Sequence, residues 1–159
     1  MKNYKKILIT GLLTILLFNI SKKTFAHCEI PCGIYEDTIR IELIKEHIIT
    51  IEKSMKMIHE LSQEDTPNYN QIVRWVMNKE EHATKLQDIV SQYFLHQRIK
   101  PVDPENTEMY EKYIDRLTLL HELLVYSMKA KQTTDLDYIN KLNKAILAFE
   151  ESYFHTHQH

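Results

Sequence analysis

The sequence predicts an all-α fold, an up-down-up-down antiparallel four-helix bundle, on three observations. Four long stretches carry apolar residues at helical spacing, the gaps between them are short and punctuated, and glycine is almost absent. Of the two glycines, Gly11 and Gly33, neither falls within the four stretches. That scarcity argues against hairpin-rich β folds and against glycine-cradled phosphate sites, which need backbone with positive φ or close approach to a ligand.

The first stretch runs from about Asp37 to Leu61 and spaces Ile44, Ile48, Ile51, Met55 and Ile58 as the inward stripe of a bundle helix. Ser62 to Pro67 breaks it. The second, about Asn68 to Gln97, turns Ile72, Val76, Ala83, Leu86, Val90 and Phe94 inward, and its length predicts an extension beyond the bundle or a kink. Lys100-Pro101-Val102-Asp103-Pro104 ends it, because proline removes a helical donor and clashes with the preceding turn. The third, about Glu105 to Lys131, repeats Tyr110, Ile114, Leu117, His121, Leu124 and Met128. The fourth follows the cap signal Thr133-Thr134-Asp135, with Leu136, Ile139, Leu142, Ile146, Phe149 and Tyr153 inward.

Ahead of the bundle (36–159), residues 1–26 read as a leader that is removed. Met1 to Lys6 is basic, Ile7 to Ile20 is mostly apolar yet too short for an ordinary spanning helix, and Ala26 is the small residue favoured before a cleavage point. An uncleaved anchor is the competing reading, with Lys22 and Lys23 as the stop. Without a twin-arginine pair, the expected route is general secretion, placing the mature chain in the periplasm or outside the cell; a cytoplasmic chain with a removed propeptide is the weaker option. The leader holds five lysines and no acid, so the remainder carries 15 basic and 22 acidic residues, net −7, which excludes an ordinary nucleic-acid binder.

The chemistry concentrates in residues 27–35, HCEIPCGIY, which contain both cysteines, with Pro31 between them and Gly33 after. Pro31 fixes φ and Gly33 permits positive φ, so the segment suits a tight hook and not a helix. A Cys28–Cys32 disulfide is the plain alternative for an exported chain, but so short a loop gains little from closure, and His27 would be left without a reason. Cleavage after Ala26 would give His27 a free α-amine of pKa ~7.7 beside an imidazole of ~6.5, followed by thiols of ~8.5, all of which yield protons to a metal. The amine, the Cys28 amide nitrogen and the two thiolates are planar donors, with the imidazole available as a fifth. Such a set suits copper(II) or nickel(II) better than tetrahedral zinc, and its strong donation favours a redox role.

HCEIPCGIY resembles the nickel hook of the nickel-containing superoxide dismutases, whose mature chains begin His-Cys, continue through two residues to Pro-Cys-Gly, and place a tyrosine three residues after the second cysteine. The resemblance implies a four-helix subunit, a homohexamer, one nickel ion per subunit cycling between nickel(II) and nickel(III), and conversion of superoxide to oxygen and hydrogen peroxide. It implies metal ligation by His27, Cys28 and Cys32. Tyr35 matches the tyrosine guarding the open face of the metal, Glu42 in Arg40-Ile41-Glu42 the glutamate that hydrogen-bonds the axial histidine, and Tyr93 a second tyrosine near the site. Where better-known members place an arginine behind that glutamate, this chain has His82, with Arg74 one or two turns earlier. A processing protease and a nickel-loading factor are implied partners. The rival class is a secreted metal-binding or thiol/disulfide helical protein without turnover.

Other candidates are weaker. His155, His157 and His159 fit a solvated terminus with adventitious metal affinity, and His121 fits a core or subunit-contact histidine. Glu80, Glu81 and His82 lack the matching Glu-x-x-His that a di-iron bundle needs on another helix.

Overall fold

The structure, a computed structural model, describes residues 36–154. His27, Cys28, Cys32 and Tyr35, the leader and the histidine tail lie outside the described residues. Four helices run α1 Asp37–Ser62, α2 Tyr69–Asp88, α3 Thr107–Gln132 and α4 Asp137–Phe154, with α2 prolonged by a π-helical stretch, Ile89–Arg98. Helices α1 and α2 pack together, as do α2 and α3, α3 and α4, and α4 and α1, the ring of neighbours that short connections impose on an antiparallel bundle. Asn68 and Asn106 start α2 and α3, each side-chain oxygen accepting from a first-turn amide, Gln71 N at 3.2 Å and Met109 N at 3.4 Å.

The core contains the expected residues of α1 (Ile44, Ile48, Ile51, Met55), of the α2 line (Ala83, Leu86, Val90, Phe94) and of α4 (Ile139, Leu142, Ile146, Phe149, Tyr153). Phe94 meets Phe149 edge-on with ring centroids 5.0 Å apart, and Tyr153 stacks on Phe149 at 5.4 Å. Burying each such ring stabilises by roughly 1.5–3 kcal/mol.

Two expectations about faces need correction. In α3 the buried stripe is Leu120, Leu123, Ser127 and Ala130, whereas Ile114, His121 and Met128 are exposed. Apolar residues form two adjacent stripes on this helix, so periodicity alone does not choose between them. Packing selects the stripe with small Ser127 and Ala130, where the neighbouring backbone can come close. Val76, two turns into α2, and Leu136, just before α4, are expected inward and are exposed.

Val76 lies one turn before Lys79 on α2. Lys79 occupies the place on the α2 stripe between Val76 and Ala83, and it is buried. Its ammonium donates to the carbonyl oxygens of Ala130 (2.8 Å), Lys131 (2.6 Å) and Thr133 (2.9 Å), groups that a helix C-terminus leaves without intrahelical partners. The α3–α4 turn therefore sits at the level of Lys79. The stretch of α2 before Lys79 continues about 15 Å farther, at ~1.5 Å per residue. There Tyr69, Val73 and Met77 face outward.

Candidate metal centre and its surroundings

Among the described residues no group of three or more His, Cys, Asp or Glu could hold a metal ion. The donor set of residues 27–32 remains, and its chemistry fits nickel: two thiolates and nitrogen donors of the kind a planar, redox-active ion prefers. In the chain that segment leads to Glu36, the residue before α1.

Asp37, the first residue of α1, gathers three side chains from two other elements. Its Oδ1 accepts from the Tyr93 hydroxyl and from Arg98 Nε at 2.7 Å, and its Oδ2 accepts from the Tyr153 hydroxyl at 2.7 Å. Arg98 also donates from its terminal nitrogen to Tyr93 Oη at 2.8 Å, with its guanidinium 4.6 Å from the Tyr93 ring centroid. The π-helix makes this contact possible. Bonds from residue i+5 to residue i, as from Ile99 N to Phe94 O at 2.9 Å, bring Arg98 back above Tyr93 after about one turn. In an α-helix the same residues would lie about 140° apart.

Burial pushes the Asp37 carboxyl upward, but hydrogen bonds from Tyr93, Tyr153 and Arg98, with the Arg98 charge, outweigh it and hold the carboxyl below its ordinary range. Burial and then the bond to Asp37 raise both phenols, that of Tyr153 strongly. At neutral pH the cluster is thus a carboxylate, a guanidinium and two protonated tyrosines. Arg40 lies 5.1 Å from the Tyr93 ring and Arg116 5.6 Å from the Tyr153 ring, so a further guanidinium lies against each of the two phenols that donate to Asp37.

Glu42 and Tyr93 do not meet in the described chain. Glu42 lies five residues after Asp37, about 140° round the helix, on the outer face of α1. Its side chain is 61% exposed and accepts from Lys45 Nζ at 2.9 Å; Lys45 also pairs with Glu150 at 2.8 Å. His82 faces α1 elsewhere: its Nδ1 lies 3.0 Å from that of His47, the rings meeting edge-on. Arg74 is exposed on the α2 extension. Sequence reasoning missed Asp37, Arg98, His47 and Tyr153 as parts of polar clusters. For Lys79 a signal existed, a lysine on an otherwise apolar stripe.

The family model of the nickel-containing superoxide dismutases matches residues 22–157, enclosing both HCEIPCGIY and the whole bundle. The chain belongs to that family. It is accordingly a nickel-dependent superoxide dismutase, an oxidoreductase whose cofactor is nickel and whose substrate is superoxide. Searches of curated proteins and of solved structures found no match. No helix of the described residues is long and apolar enough to cross a membrane.

Proposed function

We propose that the dismutase holds its nickel with the His27 α-amine and imidazole, the Cys28 amide nitrogen and thiolate, and the Cys32 thiolate, after the chain is cleaved between Ala26 and His27. The observation that carries this reading is the placement of a His-Cys pair and the only other cysteine within residues 27–32, inside the matched family region, while the described residues offer no competing ligand cluster. Bound there, nickel supplies the one-electron couple that lets two superoxide ions and two protons become one oxygen and one hydrogen peroxide.

The remaining work belongs to the chain. Tyr35, three residues after Cys32, would limit access to the metal, and Glu42 would orient the His27 imidazole by accepting a hydrogen bond from its ring N–H. Tyr93 stands by the start of α1 with its ring between Arg40 and Arg98. Those arginines, with Arg116, give a local positive potential that attracts a small anion despite the acidic remainder of the chain. Export to the periplasm or beyond, assembly as a hexamer, a processing protease and a nickel-loading factor complete the proposal.

Cys28→Ser and Cys32→Ser test the ligand set. Each should lose nickel and turnover while keeping the helical circular-dichroism signal, since among the described residues the buried core comes from the four helices and the π-helical stretch. Retained activity in either variant would defeat the assignment; loss of helix would favour a structural disulfide.

A further inference from the structure

We infer that Asp37 is a positioning residue of the nickel site, a carboxylate that fixes the start of α1, to which the metal-bearing segment is joined in the chain, and that holds the Tyr93 hydroxyl. The inference rests on the assignment of the metal ligands to residues 27–32.

Geometry carries it. Asp37 lies two residues after Tyr35 and five after Cys32 in the chain. It opens α1 without a side-chain cap, because Glu36 makes no capping bond. What holds this first turn is lateral. Oδ1 is tied to the π-helical stretch through Tyr93 and Arg98, and Oδ2 is tied to α4 through Tyr153. One carboxylate thus joins three elements at the start of α1.

The cost of building the cluster also points to more than helix packing. Ten residues adopt π-helical bonding, which is rare and frequent at functional sites when it occurs, and its local effect is to seat Arg98 on Tyr93 and Asp37. The Tyr93 hydroxyl proton is directed at Asp37, so Tyr93 acts here by the place of its ring and not as a proton donor to substrate.

The test uses the processed, nickel-loaded enzyme and two substitutions. Asp37→Asn keeps size and one acceptor oxygen but replaces the other with a donor that cannot accept from Tyr153 or Arg98. Tyr153→Phe removes only the bond to Oδ2 and keeps the stack on Phe149. Both should retain nickel stoichiometry and helix content. Asp37→Asn should broaden the electron-resonance signal of the oxidised metal and lower turnover by about tenfold, the low end expected for a group supporting a ligand. Tyr153→Phe should change both in the same direction by less.

A resonance signal and turnover identical to wild type in both variants, even with a lowered unfolding midpoint, would make the cluster merely structural and overturn the inference. Should Asp37→Asn fail to fold, Tyr153→Phe decides alone, and an unaltered signal there overturns it. A wild-type chain beginning at His27 that shows no nickel signal would overturn the ligand assignment and this inference together, before any variant is made.

Discussion

The ammonium of Lys79 lies 2.8 Å from the carbonyl oxygen of Ala130 and serves as the C-terminal cap of a helix to which it does not belong. It is a buried charge held by backbone oxygens, with Ala130, Lys131 and Thr133 all accepting from it. Lys79→Met keeps the apolar stem but strands those carbonyls. We expect a loss of about 1–3 kcal/mol, the cost of leaving buried polar groups unsatisfied, measured by urea denaturation. A change under a few tenths of a kcal/mol would show that water replaces the ammonium without penalty.

His47 and His82 give the α1–α2 interface a pH response. Burial, then the neighbouring His82, hold the His47 imidazole below its ordinary pKa, with Glu46 opposing and Lys85 adding to the lowering. In the unfolded chain His47 takes up a proton as the pH falls through ~6.5, whereas the folded chain resists until lower pH. Stability from this source is therefore full above ~6.5 and declines as the pH falls toward the folded value. His47→Leu should make the thermal unfolding midpoint fall less between pH 7.5 and 5.5 than it does in wild type. Identical pH slopes would contradict the account.

Glu42 separates a stability role from a role at the metal. Its ion pair with Lys45 is exposed and is worth less than about 1 kcal/mol, so Glu42→Gln should hardly change the unfolding midpoint. If Glu42 orients the His27 imidazole, the same variant should keep its nickel and lose about 10 to 100-fold in activity. Wild-type turnover together with a wild-type nickel(III) electron-resonance signal would remove Glu42 from the site.

Much of the fold is legible in the sequence because its signals are local. Apolar spacing places α1 and α4 within a residue or two of their observed starts, and the Lys100–Pro104 segment marks the end of the α2 line. Helix α3 is less legible. Leu119, Leu120, Leu123 and Leu124 make two stripes equally apolar, and only the small Ser127 and Ala130 decide which one packs. The π-helix left no local trace beyond the excess length of the second stretch. The Asp37 cluster joins residues up to 116 positions apart, so no spacing rule could have assembled it. The hook is the reverse case. Its proposed chemistry is read from residues 27–35 alone, which lie outside the described residues, because every proposed ligand lies within six consecutive residues.

The central claim is that nickel is held by a terminus beginning at His27, and it is tested most directly by the intact mass and nickel content of the active enzyme, beside a variant with one extra residue before His27. We expect the active chain to begin at His27 with one nickel per subunit, and the extended variant to bind nickel poorly and show no dismutase activity, because an acylated His27 nitrogen cannot serve as an amine donor. Full nickel occupancy and full activity in the extended variant would contradict the account.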